Sequence, residues 1–402
     1  MNSGDTAFML VATALVMFMT PGLALFYGGM ARSKNVLATI MQSFICLGVV
    51  TVLWVAFGYS LSFGHDVGGV IGGLEYLGLA GVGLTPAQGS TIPHILFCAF
   101  QLMFAVITPA LITGAFAERM KFTAFLMFTI LWEVLVYFPV CHWVWGGGWL
   151  FKLGALDFAG GTVIHLNSGV AALVCAVLLG KRKGYGTDAL QPHNLPLTVL
   201  GAGILWFGWF GFNAGSALAA NGVAGMAFFT TQVAAGVAAL SWIIAEWIHR
   251  GKPTTLGAAS GAVAGLVAIT PAAGFVGPMS AMAIGLVAGA LCYMAVVAKS
   301  RFGYDDALDV VGVHGVGGTW GALATGLFAS AAINGASGLF FGNPRQLGIQ
   351  AIGVAAALVY SLVITYAILK ATDALLGLRV DQEEEHQGLD LSQHSEVGYR
   401  IV

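Results

Sequence analysis

The sequence predicts an all-α, polytopic membrane protein with about eleven transmembrane helices, arranged as two inverted five-helix repeats around a central pore. Three observations support this fold class: the composition, the recurrence of long apolar runs, and the distribution of basic residues. Hydrophobic residues form 58% of the 402 residues, whereas Asp, Glu, Lys and Arg together form only 8%. A soluble domain carries about a quarter charged residues, so the composition by itself indicates a membrane protein.

Apolar runs long enough to cross a bilayer, which takes about 20 residues, recur along the whole chain. The first run lacks the basic flank of a removable signal peptide, so we interpret it as a retained span. Residues 1–376 should form one transmembrane domain, with repeats at about 6–180 and 196–330, and residues 377–402 a short cytoplasmic tail. The predicted spans are roughly 6–30, 36–63, 91–117, 122–142, 157–180, 196–217, 222–248, 255–273, 279–299, 308–330 and an extra helix at 345–374.

The basic residues indicate the orientation of these spans. Fourteen of the 16 Lys and Arg residues, including Arg400 in the tail, fall on one side of the predicted topology, and only Lys152 and Arg345 fall on the other. Because Lys and Arg concentrate in cytoplasmic loops, we expect the N-terminus outside and the C-terminus inside a cell membrane. A net charge of −2 argues against nucleic acid as a partner.

Two stretches repeat one spacing, an Asp eight residues before a His. Asp157 and His165 belong to the fifth predicted span, and Asp306 and His314 lie at the beginning of the tenth. Eight helical residues rise about 12 Å, and the two spans enter the membrane from opposite faces. In a hydrocarbon core of about 30 Å, both histidines should therefore meet near the middle, at the interface between inverted repeats.

Ionisable groups inside spans are costly, so each one is a functional hypothesis. His165 and His314 either tie helices together or form a functional pair along a narrow pore. The symmetry favours the pair, because neutral imidazoles both donate and accept hydrogen bonds and share a proton without a fixed charge. A metal site is a third interpretation, but a third ligand at helical spacing is missing. The five scattered cysteines suggest neither a metal site nor a disulfide framework, and we expect no cofactor.

Several carboxylates admit more than one interpretation. Asp157 is expected at the N-terminus of its span, where it either caps the helix or stabilises a nearby cation. Capping is favoured for Asp306, because Asp305 and Asp309 crowd it. Glu133 lies inside the fourth span and faces a neighbouring subunit, a polar cavity, or lipid in protonated form; the sequence prefers none of these.

Aromatic residues stand one helical turn apart in the third and sixth spans. Phe100 and Phe104 share one helix face, and Phe212 shares another with Ser216. Such spacing usually reflects packing. Trp145, near the outer interface, fits an aromatic belt. A tryptophan ring is also the best face for a small cation, and the Ser216 hydroxyl could accept a hydrogen bond from that cation.

These motifs occur together and in order, and as a set they closely resemble one family. They are FYGGMARSKN, VWGGGWL, DFAGGTVIHLNSG, PHNLPLT, GWFGFNAGSALAAN and GVHGVGG, followed by GLRV and GLDLSQH near the C-terminus. The set resembles the ammonium transporter family (Amt/Mep/Rh), in its bacterial and archaeal Amt branch, over the whole chain. The resemblance implies a homotrimer with one pore per subunit, and a PII-type signal protein as a possible partner at the cytoplasmic face.

The resemblance also implies roles for individual residues. Trp145 and Ser216 match the family's external site for recruiting the cation, with Phe104 in its aromatic wall. Phe104 and Phe212 match the stacked rings that close the pore below this site, and Phe100 flanks them. The remaining matches are Asp157, an essential Asp near the outer site, and His165 and His314, the twin histidines of the hydrophobic lumen.

Two features depart from the family pattern. Glu133 stands where an apolar residue is expected, and Gly398 stands where the family often has Ala. Residues 400–402 extend beyond the usual end. The altered terminus leaves open that the chain is cut from a longer sensor fusion.

The expected function is the movement of ammonium across the membrane, without enzymatic chemistry. An ammonium ion in a dry lumen would lose tens of kcal/mol of solvation by Born estimates. Deprotonation at the outer site, passage of neutral ammonia and a proton relay through the histidines remove that loss, and potassium has no proton to give up. The alternatives are a receptor that binds ammonium with little or no transport and, less favoured, an intramembrane metalloenzyme.

Overall fold

The computed structural model describes residues 1–399, which are mostly helical; Arg400, used above for the orientation, and the other two of the last three residues lie outside the described residues. Two short strands, β1 (Asp66–Val67) and β2 (Ile71–Gly72), form an antiparallel hairpin between the second and third spans. The α-helices are α1 (Ser3–Met30), α2 (Val36–Leu53), α3 (Tyr59–Phe63), α4 (His94–Phe116), α5 (Phe122–Trp132), α6 (Phe138–Val144), α7 (Trp149–Leu153), α8 (Asn167–Leu179), α9 (Leu195–Gly215), α10 (Gly222–Arg250), α11 (Thr255–Ile269), α12 (Pro278–Phe302), α13 (Gly317–Phe328), α14 (Ala331–Asn334), α15 (Pro344–Leu376), α16 (Gln382–Gln387) and α17 (Leu389–His394).

The prediction of an all-α polytopic protein is confirmed. Within residues 1–399, nine helices, some of them continuous through a π-helical turn, are long and apolar enough to cross a membrane. The other two predicted spans correspond to shorter helices. The eighth is α11, of 15 residues, and the tenth is a π-helical segment, Val311–Val316, followed by α13.

Four π-helical segments occur in the described part of the chain, and two of them carry the predicted histidines. His165 lies in Gly161–Leu166 and His314 in Val311–Val316; the other two are Trp54–Gly58 and Glu133–Tyr137. The expectation of eight regular helical residues from Asp to His is therefore wrong, because a turn follows Asp157 and the helix begins only at Gly161. π-Helical turns are rare and frequently occur at functional sites.

The two histidine-bearing segments cross in close backbone contact. A Cβ atom added at Gly169 would lie 2.2 Å from the Gly315 Cα, and one at Gly318 would lie 2.7 Å from the Leu166 nitrogen and 3.0 Å from the His165 Cβ. Any larger side chain would push the segments apart. Glycine at these crossings is what brings the two histidines together.

The C-terminal tail is folded against the helical domain. Asn35, at the N-terminus of α2, makes no side-chain cap; instead Asp390 of α17 accepts hydrogen bonds from the Leu37 and Ala38 amides at 3.1 and 2.8 Å. An isolated bridge pairs Arg379 with Met120, just before α5. The tail therefore supplies a helix cap from some 350 residues away in the chain and holds two inter-helical loops.

Candidate functional site

Asp157 caps the helix that carries His165, and it does so with both carboxylate oxygens. Its Oδ1 accepts hydrogen bonds from the amides of Gly160 and Gly161 at 2.8 and 2.7 Å. Its Oδ2 accepts from Thr162 and Val163 at 2.8 and 3.1 Å. A helix leaves four amides without intrahelical acceptors at its N-terminus, and this one side chain binds four amides.

Trp145 lies next to this cap. Its indole Nε1–H donates to the Asp157 backbone oxygen at 2.8 Å, which fixes the plane of the ring. The ring meets Phe104 edge to face, with centroids 5.9 Å apart. Because the indole N–H is already bound, the ring face is the part of Trp145 that remains for a ligand.

The three predicted phenylalanines form one buried cluster behind Trp145. Phe100 and Phe104 meet edge to face with centroids 4.8 Å apart. Phe104 and Phe212 are closer, at 4.5 Å, but their planes make an angle of 60°, so the rings are tilted rather than parallel. None of the three is more than 1% exposed, and together they separate the Trp145 end from the histidines.

Ser216 lies at the C-terminus of α9, one turn after Phe212. Its hydroxyl donates to the Phe212 carbonyl oxygen at 2.8 Å, as serine often does within a helix. The hydrogen is therefore engaged, whereas the oxygen keeps lone pairs that accept a hydrogen bond from a donor. The side chain is half-buried.

The predicted meeting of the two histidines is present in the structure. Their Nδ1 atoms lie 3.2 Å apart, and their rings are 5.3 Å apart and 21° from parallel. Both residues are at least 97% buried. Two facing ring nitrogens form a hydrogen bond only when one carries the proton and the other does not, so a neutral His165–His314 pair always has one donor and one acceptor.

Trp209 is a site residue that the sequence reasoning missed. Its ring lies nearly parallel to His165 at 5.4 Å, and its Nε1–H donates to the Thr270 hydroxyl at 2.8 Å. Phe212 covers His165 as well, at 6.1 Å. The spacing of Trp209 and Phe212, three residues apart in a helix, was the available signal, since such residues share a face.

A narrow cavity follows the histidine pair. Its other walls are apolar side chains of α1, α4, α9 and α11, including Leu23, Ile107, Leu205 and Val263. The cavity volume is about 10 Å³, and one water molecule needs roughly 10–15 Å³. The passage therefore matches one small molecule and offers few polar contacts.

The Asp306 end of the site differs from the Asp157 end in the contacts of its carboxylate. Asp306 binds one helix amide, that of Val311, at 2.8 Å. Lys299 donates to the Asp306 backbone oxygen at 2.7 Å and to the Asp309 carboxylate. Burial raises the pKa of Asp306 to about 6, aided by Asp309 and opposed by Lys299.

Asp305, beside it, is held by arginines. Arg182 donates to both Asp305 carboxylate oxygens at 2.9 Å, and Arg119 donates to the Asp305 backbone oxygen at 2.6 Å. Burial disfavours the carboxylate, but the Arg182 guanidinium holds the pKa of Asp305 below its ordinary value. Bidentate pairs of this kind are strong and directional.

Glu133 is fully buried away from these contacts, in the Glu133–Tyr137 π-helical turn. Within residues 1–399, the Glu133 side chain is therefore not exposed to lipid or to a neighbouring subunit. These two interpretations are excluded. In the same described part of the chain, no group of three His, Cys, Asp or Glu side chains is placed to hold a metal ion.

Comparison with known proteins gives one consistent match. The family model described as Ammonium Transporter Family matches residues 7–399. A Bacillus subtilis (strain 168) protein named ammonium transporter is 56% identical over 404 residues, covering 100% of this chain and 99% of the relative. The Archaeoglobus fulgidus protein named ammonium transporter Amt1 is 51% identical and covers 99% of this chain and 100% of its own.

Solved structures agree with the sequence relatives. The crystal structure of Saccharomyces cerevisiae Mep2 superposes with a TM-score of 0.90 at 39% identity, over 95% of this chain and 88% of that one. A structure described as a sensor Amt protein also gives a TM-score of 0.90, at 31% identity, over 97% of this chain and 98% of that one.

Proposed function

We propose that this chain, which belongs to the ammonium transporter family, recruits and deprotonates ammonium at the Trp145 end, conducts ammonia past the aromatic rings, and relays the proton through His165 and His314. The protein is a multi-pass membrane protein of a transporter family. One observation carries the proposal: ring contacts run without a break from Trp145 through Phe104, Phe212 and His165 to His314.

The recruitment step is supported by the groups left free at that end. Trp145 offers a ring face, Ser216 offers an oxygen lone pair, and both have committed their own hydrogens to backbone oxygens. A small cation with N–H donors matches this combination, because it gains a cation–π contact and a hydrogen-bond acceptor. Asp157 contributes in two ways, as a cap and as a buried negative charge close to the bound cation.

The deprotonation step follows from the character of the passage. Beyond the rings, the walls are apolar, and the histidines are the exception. An intact ammonium ion would leave its hydration shell there with no counter-charge, at a cost of tens of kcal/mol by Born estimates. Ammonia carries no charge and avoids this cost, so the proton has to take a separate path.

The histidine pair supplies that path. In the neutral pair, one Nδ1 holds the shared hydrogen and the other accepts it across 3.2 Å. When a proton arrives at the donor ring, the shared hydrogen moves to the other ring, which releases its own proton. The donor and the acceptor are then exchanged, and both rings are neutral again. Potassium has no proton to surrender and is excluded by the same passage.

The surrounding architecture is proposed on the same basis. Residues 1–376 form the transmembrane domain, with inverted repeats at about 6–180 and 196–330, the N-terminus outside and the tail, residues 377–402, in the cytoplasm. We propose a homotrimer with one passage per subunit, and a PII-type protein as a partner on the tail side. Mass measurement in detergent should give three copies of the chain.

The test of transport is electrical. Purified protein in proteoliposomes should give a transient current when ammonium is added outside, and none when potassium is added at the same concentration. Protein-free liposomes control for leak of ammonia through the lipid. An absent ammonium current, or an equal potassium current, contradicts the proposed mechanism.

A second function, ammonium sensing, has a specific observation in its favour. The sensor Amt structure matches this chain over nearly its whole length. A sensor would bind ammonium at the Trp145 end, measurable as a change in tryptophan fluorescence or heat, without passing current. Binding without current identifies a sensor, and binding with current identifies a transporter.

A further inference from the structure

Glu133 carries a carboxyl group whose two oxygens have no protein partner in the described part of the chain. The residue is fully buried, and both of its Oε atoms lack a hydrogen-bond donor or acceptor among residues 1–399. It begins the π-helical segment Glu133–Tyr137. Buried polar side chains are nearly always hydrogen-bonded, so this group requires an explanation.

Two hydroxyl groups on the same helix are in the same condition. Thr129 precedes Glu133 by four residues and Tyr137 follows it by four, so all three side chains lie close to one helix face. Thr129 is 1% exposed and Tyr137 is fully buried, and within residues 1–399 neither hydroxyl has a partner. Four buried oxygens therefore line one stripe of the fourth span, which we call the Glu133 file.

The Thr129 hydroxyl makes no hydrogen bond within its own helix. Several buried threonines donate to the carbonyl four residues earlier, as Thr108, Thr231 and Thr325 do at 2.6, 2.6 and 2.9 Å, whereas Thr20 and Thr372 share the condition of Thr129. Thr129 does not use this default acceptor. Its oxygen is therefore available to a partner beside the Glu133 file.

The energetics rule out a dry, ionised Glu133. An isolated carboxylate in a low-dielectric interior loses its solvation, so such a group takes up a proton instead. Each further buried oxygen without a hydrogen bond also destabilises the fold. Enclosed water molecules, which typically make about three hydrogen bonds to otherwise unsatisfied polar groups, remove these costs together.

We propose that Thr129, Glu133 and Tyr137 form a buried site that binds water and stores one proton on the Glu133 carboxyl group. The neutral acid donates through its O–H and accepts through its C=O, and the two hydroxyls complete the hydrogen bonds of the enclosed water. Thr108 lies on the side of the Tyr137 hydroxyl but does not form a hydrogen bond of ordinary geometry with it, and it gives its own hydrogen to the Phe104 carbonyl at 2.6 Å.

This site is separate from the histidine pair and does not depend on the transport proposal. Its residues make none of the ring contacts that join Trp145 to His314. Its test therefore uses purified protein without any transport assay, and its outcome stands whether the protein transports or senses.

The experiment is infrared difference spectroscopy of purified wild-type protein and Glu133→Gln, each in H2O and D2O. The wild type should show a carboxylic acid C=O band that is lost in the variant and shifts after transfer to D2O, because enclosed water exchanges the acid proton. Glu246→Gln is the matched control. Glu246 is also buried, but its oxygens accept hydrogen bonds from Thr254, so its removal should leave the acid band unchanged.

Two results overturn the proposal. Loss of only ionised-carboxylate bands in Glu133→Gln means that Glu133 is charged, and an acid band that never shifts in D2O means that the site is dry. If Glu133→Gln gives no folded protein, Thr129→Val and Tyr137→Phe replace it. Each removes one hydroxyl and should move the acid band without abolishing it; an unmoved band in both variants refutes the shared site.

Discussion

The segments Asp157–His165 and Asp306–His314 share one spacing and one type of helical turn, but their ends are held by different forces. Asp157 binds four backbone amides and, within residues 1–399, its carboxylate has no hydrogen bond with a basic side chain. Asp306 binds one amide. Its surroundings are instead fixed by ion pairs, Arg182 with Asp305 and Lys299 with Asp309.

The difference indicates what each end is required to do. The four amides satisfy the Asp157 carboxylate without a cation beside it, and we propose that this group acts on a cation at the Trp145 end. At the other end, Asp305 and Asp309 are paired with cations, whereas the Asp306 Oδ1 has no hydrogen-bond partner within residues 1–399. The same spacing in the sequence therefore gives one end held by backbone amides and one end held mainly by ion pairs.

The largest effect expected from this comparison is that of Asp157→Ala. Four buried amides lose their acceptor, and each buried donor left without a hydrogen bond costs about 1–3 kcal/mol of folding stability. An ordinary cap substitution costs about 1 kcal/mol. We expect flux to be abolished and the thermal midpoint to fall sharply. Flux in proteoliposomes and thermal unfolding in detergent measure the two effects.

Asp306→Ala is the matched control, since it removes a single amide contact and should cost far less. Equal losses in the two variants would contradict the contrast between the ends. Asp157→Asn sharpens the test, because its one oxygen replaces two of the four contacts and its NH2 group meets the other two donors. An Asn variant with wild-type stability would show that the four contacts are not all required.

The next effect concerns the histidines. His165→Ala and His314→Ala should each reduce ammonium current by about 10²-fold or more, the usual contribution of a positioned acid–base group. His165→Ala should lower the thermal midpoint more, because His165 also stacks on Trp209 and Phe212. Currents and melting curves should be recorded on the same preparations.

An Asp in either histidine position brings a fixed charge into the passage, and such a variant should begin to pass potassium. Wild-type ammonium current with retained exclusion of potassium in both Ala variants would refute the relay.

A smaller effect is expected for Trp145→Leu. Loss of a cation–π contact worth about 0.5–2 kcal/mol corresponds to a roughly 2- to 30-fold higher half-saturating ammonium concentration, with little change in maximal current. Concentration-dependent currents measure both quantities. Trp247→Leu, at a residue 58% exposed on α10, is the control. An unchanged half-saturating ammonium concentration in Trp145→Leu would indicate that Trp145 belongs to an aromatic belt and does not bind the cation.

The smallest effect on transport is expected for Asp306→Asn, and it is best seen as a pH dependence of stability. The folded pKa of about 6 lies above the ordinary value of 3.8, so folding binds the proton more tightly. The stability from this group is complete below about pH 3.8 and is lost as the pH rises through 6. Between pH 4 and 7, the thermal midpoint of the variant should rise relative to that of the wild type. A difference between the two midpoints that does not change with pH would contradict the raised pKa.

Much of the fold was predictable because the membrane imposes length and polarity on every span. Composition and apolar runs gave the helical class and nine of the span positions directly. The fifth span was predicted to begin at Asp157, but the helix begins at Gly161. Asp157 lies before the helix and binds its first amides through its side chain. The tilt of Phe104 against Phe212 and the stacking of Trp209 on His165 depend on rotamers that spacing does not specify.

The sequence by itself determined that the chain crosses a membrane repeatedly, that an Asp and a His recur eight residues apart, and which residues match a family of ammonium transporters. Only the tertiary structure decided that Asp157 holds four amides while Asp306 holds one, that two imidazoles meet at 3.2 Å, and that Glu133 is enclosed. Local order along a chain sets helix length and polarity. The amide contacts of Asp157 and Asp306 lie within six residues of each carboxylate and depend on how each local turn closes. The two histidines are 149 residues apart in the chain and come into contact only when the helices pack.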